Sequence, residues 1–327
     1  MGTRRHPMTI EITTPSRLHI TLIDLNASIG RVDGGIGLTI GEPGIRITAK
    51  AADEITVTGD SELTDRMQSS AAATLPEGCG IRIRIEQDSP SHAGLGTGTQ
   101  AALAAGMAVN RLYDLSMSVR DIAIRVGRGG TSGIGVASFE SGGFILDSGH
   151  KFSEKGAFKP SAASKSPPAS ILFQQPFPDW EIVLATPDVV GAHDAKEVDI
   201  FGKECPIPLS EVRELSHIIL MGTLPSVVEG DIEAFGDSVN RIQDVGFKRR
   251  EIALQAPDIV QIIELMQEST CGAGMSSFGP AVYGITDSKR DAADTMHKVQ
   301  KFLDGALGGR CMVVHARNSG ADVCVSP

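Results

Sequence analysis

The stretch Pro90–Leu115, PSHAGLGTGTQAALAAGMAVNRLYDL, opens as a loop of small residues and closes as a long helical pattern. Gly94, Gly96 and Gly98 let the backbone take positive φ and come close to a ligand. The first turn of the helix leaves N–H groups unpaired, and its dipole adds partial positive charge there. The pattern predicts an anion site over Gly94, Leu95, Gly96, Thr97, Gly98, Thr99 and Gln100. The hydroxyls of Thr97 and Thr99 can reach phosphate oxygens or a phosphate-bound Mg²⁺. Tight packing of a helix on a sheet would use the same glycines. No Gly-Lys-Ser/Thr follows, so this is not a P-loop, and a dinucleotide fingerprint would open directly after the first strand.

Working outward, Thr9–Thr14 and Arg17–Leu25 alternate like strands on either side of Pro15. In the second run Leu18, Ile20 and Leu22 point one way and Arg17, His19 and Thr21 the other, because strand side chains switch faces at every residue. RVDGGIGLTI follows, with Asp33-Gly34-Gly35 as turn chemistry. Residues 44–58 read as a strand pair, and GIRIRIEQD as an amphipathic strand. Helices are predicted over 62–75, 118–126 (with Ser118 as N-cap), 209–220, 225–243, 257–268 and 288–303. GRGGTSGIGVASFESGG is a second glycine-rich stretch and CGAGMSSFGPAVYGITD a third, each feeding a strand. Residues 151–168 carry Lys, Ser, Ala and Pro without periodicity and read as a linker or mobile loop. Strands come in neighbouring pairs between helices, which predicts α+β layers with mixed or antiparallel sheets. The domains are expected at 8–165 and 166–327.

The bulk numbers set the class. A chain of 327 residues suits two domains or one large one, and with aromatics at 4% its cores must be aliphatic. The formal charge of −10 argues against nucleic acid as a partner. Lys248-Arg249-Arg250 is the basic run that stands out, and it reads as a solvated helix face. Five cysteines without a C-x-x-C pair fit reduced thiols in a cytosol, so a cytoplasmic protein is expected. No stretch approaches the roughly 18 apolar residues of a membrane span. His193-Asp194-x-x-Glu197 has the donor types for a metal, but such spacing is more often solvated polar surface.

Three motifs in order carry a family resemblance. Pro90-x-x-x-Gly94-Leu95-Gly96-Thr97-Gly98 resembles the second motif of the GHMP kinase superfamily, usually P-x-x-x-G-L-G-S-S. Pro15-Ser16-Arg17-Leu18-His19 resembles the first, and Gly272-Ala273-Gly274-Met275-Ser276-Ser277-Phe278-Gly279 the third. The resemblance implies an N-terminal domain like ribosomal protein S5 domain 2, a ferredoxin-like C-terminal domain and a site between them. Kinases of the superfamily that use a base carry an Asp in a G-x-x-S-G-x-D setting. Here the run is Gly130-Thr131-Ser132-Gly133-Ile134-Gly135, with Gly135 at the position of the acid. An acceptor hydroxyl would lack its proton acceptor there, although some superfamily kinases also lack the Asp.

The Arg-Leu-His start, the turn Arg31-x-Asp33-Gly34-Gly35-x-Gly37 and the loop Gly-Leu-Gly-x-Gly-Thr-Gln resemble a narrower family, the archaeal β-ribofuranosylaminobenzene 5′-phosphate synthases. That resemblance implies decarboxylating transfer of the phosphoribosyl group of phosphoribosyl pyrophosphate to 4-aminobenzoate, or to 4-hydroxybenzoate. CO₂ and pyrophosphate are released, Mg²⁺ takes part, the enzyme is a homodimer, and the pathway is that of methanopterin. Such a site must stabilise a leaving pyrophosphate and an oxocarbenium-like sugar carbon. CO₂ leaves where a proton would otherwise be removed, so the missing Asp is nearly neutral for this chemistry. The candidate catalytic residues are Arg17, His19, Arg31 and Asp33. Gly94 to Gln100, Arg128, Ser132, Gly274, Met275, Ser276 and Ser277 are candidates for binding phosphate or substrate. Arg31 or Arg128 is the candidate clamp for the aromatic carboxylate. Asp24 and Thr99 are candidate Mg²⁺ contacts, as is Asp33, although a plain turn role suits Asp33 better. The alternatives are an ATP-dependent kinase of a small alcohol and a non-catalytic anion-binding protein.

Overall fold

The structure is a computed structural model describing residues 8–160, 163–189 and 195–326, without the side chains of 195–197. The first half runs Thr9–Thr13 (β1), Ser16–Asp24 (β2), Arg31–Ile40 (β3), Arg46–Ala52 (β4), Thr56–Thr58 (β5), Thr64–Thr74 (α1), Gly80–Gln87 (β6), Thr97–Leu112 (α2), Val119–Arg125 (α3), Ile134–Glu140 (α4), Phe144–Asp147 (β7), His150–Lys151 (β8), Phe152–Lys155 (α5) and Ile171–Gln175 (β9). The second half runs Glu181–Pro187 (β10), Ala195–Glu204 (α6), Leu209–Ile218 (α7), Leu224–Glu229 (α8), Ile232–Gln243 (α9), Gly246–Ala253 (α10), Pro257–Gln267 (α11), Gly272–Met275 (β11), Val282–Thr286 (β12), Lys289–Gly305 (α12), Gly309–His315 (β13) and Asp322–Ser326 (β14). A π-helical turn, Ile219–Thr223, joins α7 to α8.

Three sheets organise these elements. One has the order β14-β1-β4-β6-β5 and a second β2-β3-β7-β9, with β8 beside β3. The third, β11-β12-β10-β13, is antiparallel throughout. With α6–α11 between β10 and β11 and α12 between β12 and β13, it has the ferredoxin-like arrangement. The sheets do not part at residue 165. Strand β9 pairs with β7, and β14 crosses back to pair with β1, so two segments from beyond that residue complete N-terminal sheets.

The helix α2 explains the opening stretch. Its Ala- and Gly-rich sequence is buried on nearly every side, from Thr97 to Asn110, as a helix apolar all round must be. It packs with α1, α3 and β1 in an aliphatic core holding Ile10, Ile47, Ile83 and Leu103. A larger core bridges the halves, placing Leu18, Ile20 and Leu38 beside Ile182, Tyr283 and Phe235.

Most expected elements form within a residue or two. Ser118 caps α3 in a capping box with Asp121. The expected helix over 225–243 breaks at Gly230 (φ 71°), and Asp231 caps the restart by accepting from Ala234 N. Its polar loop signal is swamped by the periodicity on both sides. The face assignment of β2 changes partway along. A bulge shifts its register against β3 between His19 and Thr21, so Leu22 leaves the side of Leu18 and Ile20 and joins Arg17 and His19.

The expected linker is pinned. Lys155 Nζ, almost fully buried, donates to Asp33 Oδ2 (2.7 Å), Thr131 Oγ1 (2.9 Å) and the Lys159 carbonyl (3.0 Å). The glycines of β3 serve close packing, since a Cβ at Gly37 would lie 2.6 Å from both Ile134 Cγ2 and the Leu18 carbonyl oxygen. Gly37→Ala is expected to destabilise the fold by about 1–3 kcal/mol through overpacking, measured by denaturant unfolding.

Candidate active site

A cleft of about 230 Å³ lies where the glycine loop before α2 meets β2, α10 and the loop between β11 and β12. The loop backbone is set by two left-handed glycines, Gly94 (φ 82°) and Gly96 (φ 78°). A side chain at either would collide: a Cβ on Gly94 would stand 2.3 Å from the Ser276 carbonyl oxygen, and one on Gly96 3.0 Å from Arg17 Cγ. Gly96 is the N-cap of α2, and the first helical bond runs from Thr99 N to its carbonyl (2.9 Å). The amides ahead of Thr99 therefore stand at the positive end of a 16-residue helix.

Cations ring this cradle. Arg17 Nη1 donates to the Gly94 carbonyl. Arg66, from α1, lies against Gly98, whose Cβ would sit 3.2 Å from Arg66 Nε. Arg128 donates through Nε (3.1 Å) and Nη2 (2.8 Å) to Thr99 Oγ1. His92 and Glu62 also line the cleft.

Three distant segments meet at one hydroxyl. Ser276 Oγ accepts from His19 N (3.0 Å) and donates to the Gly94 carbonyl (2.7 Å). Next to it, Ser277 N donates to the His19 carbonyl (2.8 Å). Lys248 Nζ donates to the Ser277 carbonyl (2.8 Å) and pairs with Glu251 Oε2 (2.6 Å). Both partners are buried, and Glu251 lines the cleft. Burial pushes Lys248 down and Glu251 up, and each charge opposes the shift of the other. His19 is held well below the ordinary imidazole value, by burial first and then by the positive charges of Arg17 and Lys248. It therefore stays neutral at neutral pH.

The candidate residues divide cleanly. Arg17, His19, the backbone from Gly94 to Thr99, Arg128, Ser132 and Ser277 line the cleft. Ser276 lies just behind, at the junction described above. Gln100 turns inward and donates to the Gly135 carbonyl (2.8 Å). Gly274 and Met275 belong to buried β11, where Met275 N donates to Gln243 Oε1 (3.0 Å).

Arg31, Asp33 and Asp24 are not brought to the cleft. Arg31 is spent on the Ser148 and Gly149 carbonyls (2.7 and 3.0 Å). Asp33, buried with φ 67°, accepts from His150 Nδ1 and Lys155 Nζ, both at 2.7 Å. Asp24 Oδ1 accepts from the amides of Asn26 and Ala27 in a local turn. The hydroxyl of Thr99 is engaged by Arg128. His193 and Asp194 lie outside the described residues, as does the side chain of Glu197.

Arg66, His92, Glu62, Phe201, Lys248 and Glu251 were not legible as site residues. Lys248-Arg249-Arg250 is not a solvated face throughout. Lys248 is buried beneath the cleft, and Arg250 is bound to Glu204 and Glu211. The signal was Glu251, three residues on, but an i,i+3 pair reads the same on a surface helix.

The fold and the cleft define a protein of the GHMP kinase type. The GHMP kinases N terminal domain matches residues 63–143, and the GHMP kinases C terminal domain residues 223–305. A homoserine kinase from Cytophaga hutchinsonii shares the fold, with a TM-score of 0.67 at 16% identity over 99% of both chains. Two curated relatives are far nearer in sequence. The β-ribofuranosylphenol 5′-phosphate synthase of Archaeoglobus fulgidus is 45% identical over 96% of this chain and 99% of its own. That of Methanothermobacter thermautotrophicus is 44% identical over 95% and 97%. The chain belongs to the β-ribofuranosylphenol 5′-phosphate synthase family.

Two stability predictions follow from the buried charges. Lys248→Met should cost about 3–5 kcal/mol, because it strands Glu251, and Lys248→Met with Glu251→Leu should recover most of that loss in denaturant titrations. Burial raises the Asp147 carboxyl to about 6 although Ser132 and the amides of Gly133 and Gly149 donate to it. The folded protein thus keeps a proton that the unfolded chain releases near pH 4. Stability should fall by about 2–3 kcal/mol as pH rises from roughly 4 to 6, a slope that Asp147→Asn should flatten.

Proposed function

We propose that the protein transfers the phosphoribosyl group of phosphoribosyl pyrophosphate to 4-hydroxybenzoate with loss of CO₂, at the committed step of methanopterin synthesis. The relatives' name specifies a ribofuranosylphenol, and 4-hydroxybenzoate is the acceptor that leaves a phenol, whereas 4-aminobenzoate leaves an aniline. The bond from the sugar C1 to the pyrophosphate oxygen breaks, and both electrons leave with pyrophosphate. The ring carbon bearing the carboxylate bonds to C1. Its bond to the carboxyl carbon then breaks, returning an electron pair to the ring as CO₂ departs. No proton has to be removed from carbon.

One observation carries the reading: a helix-start anion cradle ringed by Arg17, Arg66 and Arg128 faces a wall that holds Gly135 where a kinase would hold its base. A Cβ at Gly135 would lie 3.3 Å from Thr99 Cγ2, directly beside the cradle. Glu251, in the same cleft, is tied to Lys248. Donors aimed at a departing diphosphate are effective because they are preorganised before charge develops. Neutral His19 suits the centre of the site. A cation there would hold the carboxylate that must be lost and oppose the positive charge growing on the sugar carbon.

The donor set fits Mg²⁺ carried by the diphosphate. No cluster of three acidic, His or Cys side chains able to hold a metal occurs among the described residues. Mg²⁺ is commonly bound by phosphate oxygens and water with one or two carboxylates, and Glu62, which lines the cleft, would supply one. When bound, the ion would neutralise charge on the leaving group.

Carboxyl-labelled 4-hydroxybenzoate, phosphoribosyl pyrophosphate and Mg²⁺ should release labelled CO₂ without ATP, with a higher kcat/KM than 4-aminobenzoate. No release from either acid, with ADP formed from ATP and an alcohol, would establish the kinase reading instead. Gly96→Asp, which sets a carboxylate in the cradle, should abolish release.

A further inference from the structure

The cleft has a second, apolar end beyond the anion cradle. Along β2 the cleft-facing side chains are Arg17, His19 and, because of the bulge after His19, Leu22. Arg17 touches the glycine cradle, while Leu22 belongs to an apolar cluster with Phe201, Phe247 and Phe278. At about 3.3 Å per residue, Arg17 and Leu22 are roughly 16 Å apart along the strand. That span accommodates a diphosphate, a pentose and the near edge of an aromatic ring.

One of the chain's aromatic groupings lies at this end of the cleft, and the chain has 11 phenylalanines among 327 residues. Three of them, from α6, α10 and the loop after β11, meet here. Ring centroids of Phe201 and Phe247 are 4.8 Å apart, those of Phe247 and Phe278 5.9 Å, and those of Phe201 and Phe278 6.2 Å. Phe201 and Phe278 reach the cleft wall, whereas Phe247 backs them from behind. Between this notch and the cradle sits His19, whose Nδ1 is buried without a hydrogen-bond partner. An orphaned buried nitrogen in a cleft wall calls for a ligand group.

We propose that Leu22, Phe201 and Phe278 form the subsite for the aromatic acid and set the enzyme's preference for a flat ring. This rests on the functional reading above and adds the location of the acceptor. The ring packs on the two phenylalanine faces and edges, as offset or tilted aromatic pairs do. Its carboxylate end points back past His19 toward the sugar carbon, and its para substituent lies deepest in the notch. The apolar wall itself offers the carboxylate no hydrogen-bond donor, which favours its conversion to neutral CO₂. An arginine clamp on that carboxylate would have the opposite effect.

The test uses the wild-type protein first. 4-Azidobenzoate, photolysed in the presence of pyrophosphate and Mg²⁺, should label Leu22, Phe201 or Phe278, and 4-hydroxybenzoate should suppress the labelling. Competable labelling confined to other residues overturns the proposal. Phe201→Leu and Phe278→Leu should each raise the KM for 4-hydroxybenzoate about tenfold, as expected from losing roughly 1.4 kcal/mol of ring contact. The KM for phosphoribosyl pyrophosphate should stay within about twofold, and the thermal upshift given by pyrophosphate should persist. An unchanged KM for the acid, or an equal rise in both, also overturns it. If the wild type releases no CO₂, the functional reading fails. If it releases CO₂ while the labelling falls elsewhere, only the subsite assignment does.

Discussion

One hydroxyl holds the site together. Ser276 Oγ joins the amide of His19 to the carbonyl of Gly94, linking residues 257 and 182 positions away in sequence. The bonds are short and shielded, and a buried polar group that loses its partner pays for desolvation with nothing in return. The three glycine- and serine-bearing segments therefore have one arrangement in which all are satisfied. The cradle's curvature follows, because Gly94 must pass so close to the Ser276 carbonyl that no side chain fits. The C-terminal half is in this way a structural part of the N-terminal glycine loop.

Charge is arranged in tiers around that junction. At the rim, Arg66 and Arg128 face the cradle and stay in reach of solvent and ligand. Beneath, Lys248 and Glu251 neutralise each other and grip the Ser277 carbonyl. His19 lies between the tiers and is kept uncharged by burial and by its two cationic neighbours. A cleft that is cationic at one end, neutral in the middle and apolar at the other matches a substrate pair whose charge is concentrated at the diphosphate. It also suits a reaction whose second half turns a carboxylate into a neutral gas.

The GHMP fold serves kinases as well, and the difference here is a matter of side chains on a shared scaffold. The likeness to a homoserine kinase extends over 99% of this chain, while the residue that faces Thr99 across the cleft here is Gly135, which has no side chain.

Local patterns in the sequence were enough for a helix following the Gly94–Gly98 loop, though it starts two residues earlier than expected, at Thr97, and for the N-cap at Ser118, the alternation of β2 up to Ile20 and the order of the three glycine loops. Each is a property of a few neighbouring residues: backbone freedom at glycine, an orphaned amide, a two-residue period. Tertiary structure decided the rest. Arg31 and Asp33 have the right chemistry for a site and lie in a family-like motif, but partners at Ser148, His150 and Lys155 engage them, more than 110 residues further along. Lys248 looked like surface and became the buried anchor of the floor. Leu22 changed faces because of a single bulge, and Phe201 reached the cleft from a helix with no motif of its own. Burial and pairing depend on which distant segment arrives opposite a residue, and no local window of sequence contains that information.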